Sequence, residues 1–247
     1  MPSAAKNDVA SVNTKQEGGE QVSKQMRIDF VSDVSCPWCA IGLKSLEQAL
    51  DRVGAEVTVD MHFQPFELNP GMGPDGQDIF EHITEKYGAT PAQQEQSREM
   101  IRERGAAVGF TFDMSKRGRI YNTFDAHRLL HWAEGQGRQR ALKEKLFEAY
   151  FTQGENPGAH DVLLRAAGEV GLDVDAARQV LASNAYADEV RQIEYYWQRA
   201  GIRSVPAIII NQRHLISGGQ PPEVFEQALR QIAQQDEELE QDEEPAA

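Results

Sequence analysis

The apolar positions change period along the chain, and each change predicts a change of structure. Ile28 and Phe30 share one face of the stretch Arg27 to Asp33, which predicts a strand. Leu43, Leu46, Leu50 and Val53 then recur at helical spacing as far as Gly54, a residue suited to ending a helix. From Glu56 to Gln64 the alternation is strict. Val57, Val59, Met61 and Phe63 stand against Glu56, Thr58, Asp60 and His62, as in a strand with one wet face. Strand, helix and strand in this order predict a right-handed βαβ unit with parallel strands. The alternation places the second strand near a sheet edge, because inner parallel strands read as continuous apolar runs.

From Pro65 to about residue 200 the pattern is helical. Thr90-Pro91 opens a helix to about Val108, and Asn122 or Thr123 caps another that ends near Gly135. Leu142, Leu146, Phe147 and Tyr150 mark a third, and Val162, Leu163, Ala166 and Val170 a fourth. Two more run from Asp175 to Ala182 and from Ala187 to Ala200. The block has no fixed repeat and is too long for a loop, so it reads as an inserted domain. Val205 to Ile210 then predicts an apolar strand with Pro206 at its very start, since proline cannot donate to a ladder. Asn211-Gln212-Arg213 reads as a turn, His214 to Ser217 as the second strand of a hairpin, and Gly218-Gly219 as a break. Pro221 and Pro222 lead a closing helix that buries Val224, Phe225, Ala228, Leu229 and Ile232. The expected organisation is a disordered segment at 1–24, one sheet-bearing part at 25–66, the helical insertion at 67–190, the second sheet-bearing part at 191–235, and an acidic disordered tail at 236–247.

Charge narrows the partners. The 247 residues carry a net charge of −14 and 40% are apolar, enough for a real core. An acidic chain suits neither nucleic acid, whose phosphates need a basic face, nor an anionic membrane surface. No stretch approaches a membrane span, and the polar first two dozen residues lack the apolar run of a secretory signal, so a cytoplasmic location is expected. A homodimer is compatible with the sequence.

The candidate chemistry lies between the first strand and helix, in Ser35-Cys36-Pro37-Trp38-Cys39, which holds both cysteines of the chain. A cysteine at the first turn of a helix faces unpaired N–H groups and the positive end of the dipole, which stabilise its thiolate. Pro37 suits the first helical position, and Cys39 follows about one turn on, within reach of the first sulfur. Three other uses fit less well. A structural zinc wants four ligands, and no further cysteine or close histidine pair supplies them, so no metal is expected. A four-residue loop makes a weak structural crosslink, and a strand-to-helix junction is a partly exposed place for inert thiols.

The order of these motifs resembles the thioredoxin fold of the DsbA type, and more closely its FrnE-like branch. The likeness rests on Asp33-Val34-Ser35-Cys36-Pro37-Trp38-Cys39, Pro65-Phe66-Glu67-Leu68-Asn69-Pro70, Asn122-Thr123-Phe124-Asp125-Ala126-His127-Arg128-Leu129, Ser204-Val205-Pro206-Ala207 and Ser217-Gly218-Gly219-Gln220-Pro221-Pro222, spanning roughly residues 26 to 233. It implies an α/β thioredoxin fold, a mixed sheet with βαβ and ββα parts, carrying a large inserted all-helical domain. It also implies Cys36 as the attacking cysteine, Cys39 as the resolving one and Pro206 as a cis-proline against the pair. The backbone of Val205 would then be open to an extended substrate segment.

Other roles are open on the sequence. Asn122 with Asp125 makes sense as a helix cap, and His127 as a packed or solvated histidine. Alternatively their helix roofs the cleft and lends contacts to a substrate, as Glu67 and Asn69 could from their loop. Trp38 is expected on an exposed docking surface. The chain also resembles 2-hydroxychromene-2-carboxylate isomerases and kappa-class glutathione transferases. Those usually have serine at the position of Cys36 and an acidic residue for glutathione where this chain has Gln220, or Glu223 just beyond. Three functions follow: a thiol-disulfide oxidoreductase acting on a protein or small-molecule dithiol or disulfide, a glutathione-linked isomerase or transferase on an aromatic or polyketide-like molecule, and a redox-switched peptide-binding chaperone. No cofactor is expected beyond the Cys36-Cys39 pair, with glutathione open as a co-substrate.

Overall fold

The computed structural model describes residues 23–243, with side chains through residue 235. Strand β1, Lys24–Ser32, runs parallel to β2, Val57–Pro65, with Lys24 opposite Val57 and Ser32 opposite Pro65. Helix α1, Pro37–Val53, makes the crossover between them. On the other side of β1 lies the antiparallel strand β5, Ala207–Ile210, hairpinned to β6, His214–Ser217. The sheet order is β2-β1-β5-β6, so the strictly alternating strand is at an edge. The hairpin turns on Asn211 and Gln212 at φ 50° and 57°, the left-handed pair that matches strand twist. The expected strand from Val205 starts two residues later. Pro206 has no N–H for the ladder, and its carbonyl accepts instead from Gly218 N at 2.8 Å.

Between the halves of the sheet the chain is helical, with one element the apolar pattern does not announce. A short strand β3, Gln77–Asp78, leads into α2, Ile79–Tyr87. Asp78 caps that helix by accepting from Phe80 N and Glu81 N, and Gly88 ends it at φ 68°. Helix α3, Pro91–Ala107, starts with a reciprocal capping box between Thr90 and Gln93. Strand β4, Arg119–Ile120, pairs back on β3. Then follow α4 (Phe124–Glu134), α5 (Gln139–Phe147) continuing as a π-helical turn over Glu148–Gln153, α6 (His160–Glu169), α7 (Val174–Ala182) and α8 (Ala187–Arg199). The closing helix α9, Pro222–Glu243, packs on α1. It carries the backbone well past residue 235, where a disordered tail is expected; Glu and Gln are good helix formers. Residues 1–22 of the expected N-terminal segment and 244–247 of the tail lie outside the described residues.

Two apolar clusters hold these parts. The larger joins the sheet to α1 and α9 and reaches into the insertion through Phe110, Phe112, Tyr150 and Phe151, whose rings stack at centroid distances of 4.8–6.4 Å. The smaller is built of Leu and Ala from α4 to α7, among them Leu129, Leu142, Leu163 and Ala177. Val34 belongs to the smaller cluster, while Cys36 and Cys39 belong to the larger. The segment leading to the cysteines therefore crosses the seam between the two cores.

Candidate active site

The cysteine pair is set by how α1 begins. Cys36 is its N-cap, at φ −91° and ψ 114°, and Pro37 is the first helical residue. Cys36 N donates to Asp33 O at 3.2 Å, and Cys39 N to Cys36 O at 3.1 Å. Both sulfurs are free thiols. The junction was expected to be partly exposed, but Cys36 is only 3% exposed and Cys39 fully buried. The reason is what packs around it. On one side Cys36 Sγ donates to Val205 O at 3.5 Å, and on the other residues of the insertion wall the cleft beside it. The Val205–Pro206 peptide is cis.

Two glycines bring the second half of the sheet this close. A Cβ on Gly42 of α1 would stand 3.1 Å from Pro206 Cγ and 3.2 Å from Gly219 Cα. A Cβ on Gly219 would stand 2.7 Å from Trp38 O.

Electrostatics separate the two sulfurs. A hydrogen bond from the Cys39 thiol, helped by the N–H groups of Cys39 and Trp38, lowers the Cys36 thiol pKa against the opposing effects of burial and the Asp33 charge. Burial first, then donation to Cys36 and its charge, push the Cys39 thiol well above the ordinary range. Beneath them lie further buried titratable groups. Burial pulls the Lys143 ammonium down to about 8, while the charges of Cys39, Asp33 and Cys36 act in the opposite direction. Lys143 is 1% exposed, with its Nζ 5.2 Å from the centre of the Phe147 ring. Burial works against the Asp33 charge, but His127 and the N–H groups of Leu68 and Ser35 outweigh it and hold the carboxyl below its usual range. The two backbone bonds are short, 2.7 Å from Leu68 N and 3.0 Å from Ser35 N. His127 Nε2 stands 3.7 Å from Asp33 Oδ1, too long for a hydrogen bond, and makes none elsewhere.

Cys36 opens into a cavity of about 720 Å³. One wall is Trp38 with Ser204 and Val205; the other is the insertion, through Phe80, Ile83 and Tyr87 of α2 and Arg98 and Ile101 of α3. Trp38, expected on an exposed surface, is half-buried here and packs against the larger core. Another cavity of the same size, between β1 and α8, does not touch the cysteines.

Cys36, Pro37, Trp38 and Val205 thus share one cleft, with Glu67 and Asn69 on its rim. The other sequence candidates stand apart. Asn122 Oδ1 accepts from Phe124 N at 2.9 Å from the position before the N-cap, Thr123, which makes no side-chain cap bond, and its amide donates to Glu67 Oε1 at 3.4 Å. His127 is buried behind Asp33 rather than over the cleft. Gln220 Nε2 donates to Ser217 O at 2.8 Å, and Glu223 pairs with Arg52 at 3.0 Å. Sequence reasoning missed Lys143 and the cations of the cleft. For Lys143 a signal existed: it sits four residues from Gln139 and four from Phe147, on a stripe that is buried throughout. Among the described residues no group of side chains has the makings of a metal site, and no helix is long and apolar enough to cross a membrane.

Comparison with known proteins agrees with this architecture. A probable DsbA oxidoreductase from Streptomyces coelicolor is 35% identical, with a TM-score of 0.78 over 83% of this chain and 89% of that one. The uncharacterized protein YwbO of Bacillus subtilis (strain 168) is 28% identical over 83% of this chain and 96% of its own length. The fold alone is shared with a 2-hydroxychromene-2-carboxylate isomerase, 14% identical at a TM-score of 0.66 over 86% and 98% of the two chains. It is shared likewise with the cytosolic disulfide reductase DsbM of Pseudomonas aeruginosa, solved with GSH, 16% identical at a TM-score of 0.59 over 84% and 99%. The model of the DSBA-like thioredoxin domain matches residues 27–230, which takes in both halves of the sheet and the whole insertion, and the chain belongs to that family.

Proposed function

We propose that the chain is a thiol-disulfide oxidoreductase in which Cys36 attacks and Cys39 resolves. The observation that carries this reading is the opposite tuning of two neighbouring free sulfurs, one lowered toward thiolate and open to a cleft, the other raised and enclosed. Cys36 thiolate attacks a substrate disulfide, forming a mixed disulfide and expelling one substrate sulfur as thiolate. Cys39 then loses its proton and attacks Cys36 Sγ, which expels the second substrate sulfur and leaves a Cys36-Cys39 disulfide. Two electrons pass from the pair to the substrate, and the reverse sequence oxidises a substrate dithiol.

The buried cluster supplies the proton acceptor for the second step. Lys143, with an ammonium pulled to about 8, is partly neutral near pH 7 and takes the Cys39 proton. The Cys36 thiolate is one of the charges that hold the Lys143 proton, and the mixed disulfide removes that charge. The amine is thus freed when Cys39 needs it. Meanwhile the Val205 carbonyl, already paired with Cys36 Sγ, offers an extended substrate a backbone partner.

The glutathione-linked isomerase or transferase reading draws on fold likeness, but Gln220 and Glu223 both lie outside the cleft lining with partners of their own. The deciding experiment equilibrates the full chain with a glutathione redox buffer and reads thiols by alkylation mass. A two-electron transition to an intramolecular Cys36-Cys39 disulfide is expected. If only a Cys36-glutathione adduct forms, the glutathione-linked reading replaces this one.

A further inference from the structure

The cleft over Cys36 has a charge opposite to that of the chain. In a protein of net charge −14, its lining includes Lys86, Arg98, Arg117 and Arg203. Its one carboxylate, Glu67, is already held by Arg191 and Asn122. Arg117 is 8% exposed, and its guanidinium lies over the rings of Tyr150 and Phe151 at 5.4 and 5.2 Å. One of its nitrogens donates to Ser35 O at 3.4 Å, while Nε has no partner. Across the cleft Arg98 donates to Met114 O at 2.7 Å, and its Nε, 3.4 Å from Glu95, also makes no hydrogen bond. A buried unpaired donor costs free energy, and both of these guanidinium groups border the same cleft. Lys86 stands on the rim, anchored to Leu68 O and Asn69 Oδ1 at 2.7 Å each.

The rest of the wall is apolar. Phe80 and Tyr87 are 42% and 61% exposed, unusual for large rings, and both line the cleft beside Ile83 and Ile101. The cavity, about 720 Å³, has the volume of a small-molecule site. Arginine forks match a carboxylate in geometry as well as charge, and a local cationic field selects anions whatever the net charge of the chain.

Building on the oxidoreductase reading, we infer that the substrate is a small organic disulfide, or its thiol, bearing a carboxylate and an apolar body. The carboxylate meets Arg117 and Arg98, the body lies against Phe80, Ile83 and Tyr87, and the sulfur reaches Cys36. The chemistry is the exchange written above, with the leaving thiolate departing through the cationic mouth.

The test compares 2,2′-dithiodibenzoate with its neutral diamide, which have the same skeleton and the same S–S bond. Single-turnover rates with the reduced full chain at low ionic strength are divided by each compound's rate with 2-mercaptoethanol. The diacid is expected to be favoured by about tenfold or more, the scale of one charge-assisted hydrogen bond. Arg98→Gln, Lys86→Gln and Arg117→Gln should each lower that ratio, and salt should lower it too. Arg98 and Lys86 lie on different helices, so the test survives if the Arg117 variant does not fold. A ratio at or below one, or one that the folded variants leave unchanged, overturns the inference. If neither compound modifies Cys36 in the mass spectrum, the oxidoreductase reading itself falls, and this inference with it.

Discussion

The floor and the mouth of the cleft are built from different chemistry. Behind Cys36 lie Cys39, Asp33, His127 and Lys143, each no more than 2% exposed and tied to one another through charge. At the mouth, Lys86, Phe80 and Tyr87 are half-buried or exposed and belong to α2, which the insertion supplies. A group kept from water is strongly shifted by its neighbours, so the floor is suited to handling protons. A group at the rim faces solvent, so its charge acts on whatever approaches, and salt weakens that action. In the proposed exchange the floor governs how the second step runs, and the mouth governs which disulfide arrives.

Changes at the floor should separate the steps of exchange. The largest effect is expected for Cys36→Ser, which should lower exchange with small disulfides by roughly 10³-fold or more, because a hydroxyl is a poor nucleophile. An unchanged urea midpoint would confirm that the fold is intact; full activity would refute the assignment. Next comes Lys143→Met, expected to slow release of the second substrate thiol by roughly 10²-fold, the scale of general-base catalysis. In the native chain that step should accelerate as pH rises toward about 8, with its inflection below that value because the mixed disulfide has removed the Cys36 charge that helps hold the ammonium, and the variant should lose this inflection. Lys143→Arg keeps the charge but cannot give up its proton, so a rate like that of Lys143→Met separates proton transfer from charge. Rapid-quench alkylation of the mixed disulfide reads both.

Asp33→Asn should have the smallest effect and act on stability. The Asp33 pKa is lower folded than unfolded, so its contribution is present above the unfolded pKa and is lost as pH falls through the folded one. Urea midpoints between pH 7 and pH 2 should therefore fall less steeply in the variant, with a cost of about 1–3 kcal/mol near neutrality. A parallel acid slope in both proteins would remove Asp33 from the account.

How far the sequence could be read follows the same division. Strict alternation from Glu56 placed β2 at the sheet edge, and Gly54 marked the end of α1. Helix α2 was overlooked although Asp78 and Gly88 flank it with ordinary cap chemistry, because its single buried residue, Ile79, gives no apolar stripe. The arginines of the cleft come from α3, from the loop before β4 and from the segment before β5, and only the tertiary fold brings them to Cys36. Charged residues carry no periodicity that marks them as facing a cleft, since most of them face water. Lys143 reads as one more solvated lysine until Phe147, one turn on, is seen to be buried.

The close approach of Gly42 to Pro206 and Gly219 makes the distance between α1 and the Val205 carbonyl a matter of missing atoms. No side chain spaces the two halves of the sheet at this point. A single methyl group at position 42 would act as a shim, asking Pro206 and Gly219 to give by a few tenths of an ångström without altering any polar group. The spacing between the cysteine helix and the Val205 carbonyl is in this sense set by subtraction.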